Sequence, residues 1–304
     1  MKDTVWIQKQ LDTGKLTVED VALLARAFQT QNALSVDGKP GAITLGRARE
    51  ILDCLQPEQP ESGTSPNLSM PPAKWPHGID VSHHQTITGD LDGEQVVYAI
   101  VKATEGTSGS GSQDTKMIEH LGKLREKSRV LGLYHFARPS SAVGFGSEFG
   151  QPLGEAENFA RRWEDATEFL NGSVPLLPPV LDIEDVRKGV PEPAKLVDWC
   201  AEWCDHCEGL IGREPMIYTY FSYIWQQLNS TGSKTLPGCV PVLGGYHLWL
   251  ADYRAVPPRA PRGIPGWDWL IWQWTGEGSV RGIPGHCDRN VMRATVDELT
   301  ALAL

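Results

Sequence analysis

Apolar residues in the second part of the chain fall into short runs rich in Val, Ile, Leu and aromatic residues, a composition typical of buried β-strands. Helical patterns separate the early runs, whereas the last three follow one another through Pro- and Gly-rich loops. Strand–helix alternation implies parallel strands, so the pattern predicts an α/β barrel of about five β/α units plus three further strands. The eight runs are 78–82, 96–104, 130–137, 178–184, 215–220, 247–253, 269–275 and 286–292.

The fourth run ends with two acidic residues, Asp182 and Glu184. Side chains two positions apart on a strand point to the same face, so these carboxyl groups should project together. Two neighbouring carboxyl groups repel each other when both are charged, so ionising the second costs additional free energy. One of them should therefore keep its proton to a higher pH than usual. A retained proton is what general-acid cleavage of a glycosidic bond requires. Taken alone, an Asp-x-Glu pair is more often a strand that runs into a polar loop, so the wider context has to decide.

Further acids lie on the first and last predicted strands. Asp80 lies in the first run and Asp288 in the last. The first and last strands of a closed barrel are neighbours, and active sites of such barrels lie at the C-terminal ends of the strands. We therefore expect both residues to join Asp182 and Glu184 in one site.

Aromatic residues recur near the same strand ends. Rings suit the apolar faces of a sugar, and acids suit its hydroxyl groups and glycosidic oxygen. Singly, each aromatic is more often part of the core or the barrel wall, so the inference depends on their convergence with the acids. The candidate substrate contacts are Tyr134, Phe136, Tyr218, Trp249, Trp272 and Gln273.

The composition restricts the class of partner. The 304-residue chain has a formal net charge of −10, which argues against nucleic acid or an anionic membrane as a partner. No apolar run is long enough to cross a membrane. Its first ten residues contain no apolar segment of the kind found in a conventional signal peptide. We expect a protein without membrane insertion, a monomer, and an uncharged or polar polymer as its partner.

Three of the six cysteines have the spacing C-x3-C-x2-C. Cys200, Cys204 and Cys207 share this spacing with some iron–sulfur sites, but they also lie on one stripe of a predicted helix together with Leu196 and Ile211. Cysteine is among the most buried residue types, so we expect core thiols. The histidines show no metal-ligand spacing with any acid, and we predict neither a metal nor a cofactor.

A Pro-rich segment at 57–76 divides the chain and has the composition of a linker. The preceding residues 1–56 contain helical patterns, including a helix start at Thr17 with an acid three residues later. The stretch from Phe28 through Leu34 and Gly38 to Thr44 resembles part of the small three-helix peptidoglycan-binding module. The alternative is a helical docking domain of another kind. We predict a helical domain at 1–56, a linker at 57–76 and a catalytic barrel at 77–304.

Six segments, in order along the chain, resemble glycoside hydrolase family 25, the N-acetylmuramidases (lysozymes) of the Chalaropsis type. The resemblance covers nearly all of residues 77–293 and implies a flattened, irregular β/α barrel that hydrolyses the β-1,4 bond between N-acetylmuramic acid and N-acetylglucosamine. The segments are Gly78–Ser82, Ala99–Gly106, Gly132–Phe136, Leu181–Glu184, Leu248–Ala251 and Trp272–Thr275.

The resemblance also implies roles for individual residues. Glu184 matches the general acid/base, and Asp182 matches the partner that either attacks the anomeric carbon or orients the 2-acetamido group of the substrate. Asp80 and Asp288 match the flanking acids. Two features depart from the family: His84 replaces an aromatic found in many relatives, and the run 139–154 is longer than the usual loop there. We expect this run on the active-site rim.

Four functions compete on these observations. The leading one is a peptidoglycan muramidase of the phage endolysin type, made in the cytoplasm and released to the cell wall through a holin-type pore. An exported wall-degrading toxin would use the same chemistry through a dedicated secretion machine. A non-catalytic wall-binding protein or a hydrolase of another polymer, such as chitin, would use the same scaffold, although the complete set of four acids favours an enzyme.

Overall fold

The computed structural model describes residues 75–89, 91, 96–107, 112–140, 150–187, 189–253 and 261–303. Eight strands close into a barrel in sequence order, which confirms the number predicted. The first seven strands are parallel to one another, and the eighth runs antiparallel to both the seventh and the first. The strands are β1 His77–Val81, β2 Tyr98–Glu105, β3 Val130–Phe136, β4 Val180–Asp182, β5 Met216–Tyr220, β6 Leu248–Ala251, β7 Trp269–Val280 and β8 Ile283–Met292.

Within the described ranges, helices follow β2, β3, β4 and β5, where the apolar periodicity predicted them, and β1 leads to β2 without one. Two of them are long and begin with proline, whose fixed φ angle suits the first turn of a helix. The helices are α1 Met117–Leu124, α2 Pro152–Leu170, α3 Pro193–Ile211, α4 Phe221–Gln226, α5 Val240–Leu243 and α6 Val296–Ala303. None of these helices has the length and apolar character that crossing a membrane requires.

Side chains alternate between the two faces of each strand. This alternation divides the core into a layer inside the barrel and a layer between the barrel and its helices. On β2, Tyr98 and Ile100 belong to a cluster inside the barrel, whereas Ala99 and Val101 belong to a cluster between the barrel and its helices. The same period of two places Asp80 on the inner side of β1, between the outward-facing Ile79 and Val81. The residues inside the barrel near the C-terminal strand ends therefore form the candidate site.

β7 and β8 are longer than their apolar runs predicted and form a hairpin that extends the barrel edge. Val280 pairs with Ile283 across a two-residue turn, and Gly282 in this turn has φ 83°, a left-handed conformation that favours glycine. The backbone N–H groups of Thr88 and Gly89 donate to the carbonyl oxygen of Gly282 at 2.8 and 3.2 Å. The segment after β1 therefore anchors the turn.

The helix α3 carries the three spaced cysteines. Cys200, Cys204 and Cys207 are each fully buried with free thiols, and they pack in the outer core layer with Trp203. Their prediction as core thiols is confirmed. Cysteine spacing on this helix follows the turn-to-turn period of a buried helix face.

The barrel's contacts begin inside the predicted linker. Trp75 packs edge-on against Trp269 with ring centroids 5.7 Å apart, and the carbonyl oxygen of Pro76 accepts a hydrogen bond from Met292 N–H at 3.0 Å. The predicted helical domain at 1–56, the linker residues 57–74 and residues 141–149 of the run 139–154 lie outside the described residues.

Candidate active site

All four predicted acids line one cavity of about 300 Å³ at the barrel edge where β1 to β4 end. Asp80 is on β1 and pairs directly with Asp288 on the antiparallel β8. Asp182 is the last residue of β4, and Glu184 follows two residues later. The closure of β8 onto β1 therefore brings Asp288 to the acids of the parallel strands, as the barrel prediction required.

The backbone around Asp182 and Glu184 is fixed by the neighbouring strands. Ile183 N–H donates to the carbonyl oxygen of Tyr218 at 2.9 Å, and Ala137 N–H donates to the carbonyl oxygen of Asp182 at 2.8 Å. The Thr219 hydroxyl donates to the carbonyl oxygen of Ile183 at 2.7 Å. These bonds hold the chain extended beyond the strand end, so Glu184 stays on the cavity side although β4 has ended.

The environments of Asp182 and Glu184 favour a retained proton. Burial raises the pKa of Asp182 well above its usual value, and the charge of Glu184 raises it further. Burial also raises the pKa of Glu184, followed by the charge of Asp80, while Arg138 and Lys102 oppose the shift. Asp182 Oδ1 is buried and accepts no hydrogen bond within the described part of the chain. A carboxyl oxygen without a donor gives the charged form no hydrogen-bond stabilisation, which favours the neutral form.

Asp80 and Asp288 form the second acidic pair. Burial raises the pKa of Asp80 to about 6, although hydrogen bonds from Asn290, Gln273 and Asp288 oppose that shift. Burial raises the pKa of Asp288 to about 9, and the charge of Asp80 contributes to it. The four acids are therefore electrostatically coupled, and the cavity does not hold four full negative charges at neutral pH.

One cation lines this cavity among the described residues, and sequence reasoning missed it. Lys102 is 7% exposed and its Nζ is 2.7 Å from Glu105 Oε2. Arg138 also binds Glu105, with its Nε 2.6 Å from Oε1, and its guanidinium approaches Asp185 Oδ2 at 3.5 Å. Both cations lie over the Phe136 ring, at 4.8 Å for Lys102 and 4.3 Å for Arg138. This network fixes the ring on the cavity wall.

Most of the predicted substrate contacts line the cavity. The contacts that do so are Tyr134, Phe136, Tyr218, Trp249 and Gln273. Trp272 does not line it: the residue is 1% exposed, and its indole Nε1 donates to the carbonyl oxygen of Asp252 at 3.2 Å. Adjacent strand residues point to opposite faces, so Gln273 facing inward places Trp272 in the outer core layer.

Gln273 connects two tyrosines to an acid. Its Oε1 accepts hydrogen bonds from the Tyr218 and Tyr253 hydroxyl groups at 2.9 and 2.5 Å, and its Nε2 donates to Asp80 Oδ2 at 2.9 Å. Tyr253, an aromatic at a predicted strand end, and Asn290 also belong to the site, although neither was among the candidate catalytic residues or substrate contacts. Asn290 lies two residues after Asp288 in the sequence, and this spacing was the signal that could have identified it.

A second cavity of about 500 Å³ adjoins the first and shares Glu184, Tyr218 and Tyr253 with it. Tyr220 and Phe221 contribute aromatic surface to this second cavity. The Arg262 guanidinium lies 3.6 Å from the centre of the Phe221 ring. Glu184 therefore stands between two compartments, a position suited to a proton donor between two sugar units of a polymer.

His83 and His84 follow β1 at the rim of the site. His83 Nδ1 is 3.0 Å from Asp114 Oδ2, and His84 lines the acidic cavity. The two imidazole rings are 4.0 Å apart. Within the described ranges, no group of three or more His, Cys, Asp or Glu side chains is arranged to hold a metal ion.

Comparison with known proteins assigns the chain to a family. A sequence model of glycosyl hydrolases family 25 matches residues 79–283, a range that contains Asp80, Asp182 and Glu184. The chain belongs to glycosyl hydrolases family 25. Its family 25 barrel therefore makes the protein a glycoside hydrolase, and the acidic cavity lies where the active site of a barrel enzyme is expected.

Relatives of this family 25 protein include proteins named as a lysozyme and as a muramidase. Lysozyme M1 of Streptomyces globisporus is 28% identical over 238 residues, which cover 74% of this chain and 70% of that protein. The N,O-diacetylmuramidase of Chalaropsis sp. is 26% identical over 215 residues, covering 68% of this chain and 87% of that protein. The structure of the bacterial lysozyme from Streptomyces coelicolor superposes with a TM-score of 0.58 and 26% identity, covering 76% of this chain and 98% of that one.

Proposed function

We propose that the protein is a peptidoglycan muramidase that hydrolyses the β-1,4 bond between N-acetylmuramic acid and N-acetylglucosamine. The observation that carries the proposal is the convergence of Asp80, Asp182, Glu184 and Asp288 on one cavity of a family 25 barrel. Relatives named as a lysozyme and as an N,O-diacetylmuramidase support the choice of polymer.

Glu184 is the proposed general acid. Its side chain borders both cavities, and burial together with the charge of Asp80 raises its pKa. A carboxyl group that stays protonated near neutral pH can donate its proton to the leaving glycosidic oxygen. After the leaving sugar departs, the resulting carboxylate can accept a proton from the attacking water.

Asp182 is proposed to act at the anomeric carbon, whereas Glu184 acts at the glycosidic oxygen. It either attacks the anomeric carbon as a carboxylate or accepts a hydrogen bond from the 2-acetamido group, whose oxygen then attacks that carbon. Its Oδ1 accepts no bond from the described residues, so this oxygen is available to either partner. Intact-protein mass spectrometry during turnover separates the two roles, because only direct attack leaves a glycosyl group on Asp182.

Digestion of purified peptidoglycan tests the proposed reaction. The released fragments are reduced with borohydride and analysed by mass spectrometry. A muramidase leaves N-acetylmuramic acid at the reducing end, so the expected product carries reduced N-acetylmuramic acid. Reduced N-acetylglucosamine, or free stem peptides alone, would overturn the assignment, and a Glu184→Gln protein serves as the inactive control.

We further propose that the biological role is that of a phage-type endolysin, with peptidoglycan as its partner. The proposal is that the protein is made in the cytoplasm and reaches the wall through a holin-type pore. The predicted wall-binding module at residues 1–56 supports this role, because such a module retains a released enzyme on its polymer. Expression with and without a co-expressed holin tests the route: lysis is expected only with the holin. Lysis that instead requires a secretion machine would favour an exported toxin.

A further inference from the structure

Asp80 and Asp288 face each other across the junction where the barrel closes. The two residues are direct partners in the antiparallel ladder between β1 and β8, and their side chains are hydrogen-bonded to each other. An ionised carboxylate can only accept, so a hydrogen bond between two carboxyl groups requires a proton on one of them. The hydrogen-bond donors around each carboxyl group indicate which of the two residues carries this proton.

The amide of Asn290 has one possible orientation. The indole N–H of Trp249 can only donate, and it lies 2.8 Å from Asn290 Oδ1. The oxygen of the amide must therefore face Trp249, which turns the Nδ2 group toward Asp80 Oδ2 at 2.7 Å. The Trp249 indole, which can only donate, therefore makes the Asn290 amide donate a hydrogen bond to Asp80.

The amide of Gln273 presents a second donor to the same oxygen. Its Oε1 accepts from both Tyr218 and Tyr253, and its Nε2 donates to Asp80 Oδ2 at 2.9 Å. Donors to a carboxyl oxygen stabilise the charged form. By contrast, the Asp288 carboxyl is hydrogen-bonded, within the described residues, to Asp80 and to its own backbone N–H.

We propose that Asn290 and Gln273 are positioning residues that leave Asp80 as the carboxylate of the pair and assign the shared proton to Asp288. The inference rests on the proposed function for its catalytic meaning, because the fixed charge of Asp80 then helps to keep Glu184 protonated. Asp288 is in this arrangement a neutral hydrogen-bond donor and not a second negative charge in the cavity.

Asp80 is surrounded by other titratable groups that any pH measurement must consider. Desolvation dominates the raised pKa of each of the acids. The titratable groups coupled to Asp80 are Asp288 and Cys287 on β8, Tyr98 on β2, Tyr134 on β3, Asp182 and Glu184 at the end of β4, Tyr218 on β5, and Tyr253 after β6.

Two isosteric substitutions distinguish the members of the pair. Asp288→Asn replaces the donating O–H by a donating N–H, so its loss of kcat/KM should be at least about tenfold smaller than the loss in Asp80→Asn. Asp80→Asn removes the carboxylate, and kcat/KM should fall by at least about 10²-fold. Equal losses in both proteins, or a larger loss in Asp288→Asn, would overturn the assignment.

Replacement of Asn290 tests the positioning role. Asn290 is fully buried and does not line the cavity, so Asn290→Leu removes one donor from Asp80 and no substrate contact. On a plot of kcat/KM against pH, the acidic limb should shift to higher pH by about one unit, which is a tenfold change in the acid dissociation constant of Asp80. A residue with only a structural role would lower stability without moving this limb. Asn158→Leu is the control, because Asn158 is equally buried and donates to the carbonyl oxygen of Gly106.

A second variant keeps the test decisive if Asn290→Leu fails to fold. Trp249→Phe removes the indole N–H that orients the Asn290 amide and keeps an aromatic ring. The acidic limb should again move up, by a smaller amount. An unchanged limb in every folded variant would overturn the positioning role.

Carboxyl ¹³C NMR of the substrate-free protein separates this inference from the proposed function. In the full-length wild type, Asp80 should titrate near pH 6 and Asp288 should stay protonated to about pH 9. In Asn290→Leu the Asp80 titration should move to higher pH. If Asp288 ionises before Asp80, the inference is wrong whatever the substrate. If the titrations agree but digestion yields no reducing-end N-acetylmuramic acid, only the proposed function fails.

Discussion

Asp182 and Glu184 line the same cavity although β4 ends at Asp182. Asp182 is 5% exposed and lies deeper, whereas Glu184 is partly exposed and also borders the adjoining cavity. The charge of Glu184 raises the free-energy cost of ionising Asp182, in addition to the effect of burial. The outer residue of the pair is therefore positioned to exchange protons with substrate and water.

Substitution of the outer acid should remove most of the catalysis. Glu184→Gln deletes the proton donor and changes little volume, so kcat should fall by at least about 10²-fold while the fold is retained. Turnover of peptidoglycan and circular dichroism are the measurements. Glu202→Gln, an exposed glutamate on α3, is the control and should keep full activity. Near-wild-type turnover of Glu184→Gln would show that another group supplies the proton.

The barrel and its acids could be predicted because both depend on local patterns. Buried parallel strands are short apolar runs, and closure in sequence order makes the first and last strands neighbours. The pairing of Asp80 with Asp288 follows from that topology alone. The antiparallel direction of β8 does not, because it depends on the two-residue turn at Gly282 and on the hairpin that this turn permits.

The side chains around the acids were harder to predict because they depend on register. Trp272 and Gln273 are adjacent, and a shift of one residue would exchange the one facing the core and the one facing the cavity. Lys102 was missed because a lysine on a buried strand has no sequence signal of its own until Glu105 and Arg138 are brought beside it. Long-range pairing, not local pattern, decides such contacts.

Neutralising the deeper acid should stabilise the protein while it impairs catalysis. Because the pKa of Asp182 is raised in the folded state, the native protein binds more protons than the unfolded chain above about pH 4, the usual Asp value. Its stability therefore falls as pH rises through this window. Asp182→Asn has no carboxyl group to ionise at this position, so it does not lose stability in this window. Its Tm should therefore exceed that of the wild type at pH 7 and approach it near pH 3.5.

Thermal unfolding at a series of pH values measures this difference. Asp198→Asn, at an exposed aspartate on α3, is the matched control and should follow the wild type at every pH. A Tm advantage of Asp182→Asn that is the same at pH 3.5 and pH 7 would contradict the assignment of a raised pKa.

The two predicted tryptophan contacts should respond differently to substitution. Trp249 lines the cavity, so Trp249→Leu should raise KM for soluble glycan fragments. Trp272 packs against Trp269 with ring centroids 6.3 Å apart, so Trp272→Phe should lower the free energy of unfolding by about 1–3 kcal/mol and leave KM unchanged. Steady-state kinetics and urea unfolding measure the two effects. A raised KM in Trp272→Phe would place that residue back among the substrate contacts.

The buried cysteines should be chemically silent in the native protein. Burial raises the pKa of the Cys239 thiol to about 12 and that of Cys204 well above its usual value. Thiolate is the reactive form, so a Cys54→Ser protein should react with Ellman's reagent only after unfolding. Elemental analysis should find no iron. Rapid native labelling, or stoichiometric iron in anaerobically prepared protein, would contradict the interpretation of core thiols.

Residues 1–56 should contribute affinity for the wall and no chemistry. The segment contains seven acidic and seven basic residues, so the net charge of −10 resides on the remainder of the chain. A barrel with that charge should be weakly repelled by an anionic wall. The predicted linker of about 20 residues should have a root-mean-square reach on the order of 25 Å and should raise the local enzyme concentration without fixing its orientation.

Deletion of residues 1–74 should therefore reduce binding to insoluble peptidoglycan and slow the lysis of intact sacculi, most strongly at low enzyme concentration. Turnover of short soluble glycan fragments should stay near the wild-type value, because the four acids remain in the barrel. A protein whose residues 57–74 are replaced by a Gly/Ser segment of equal length is the control, since it keeps the tether and should keep the binding. If the truncated barrel sediments with sacculi as well as the full-length protein does, the N-terminal segment has another function.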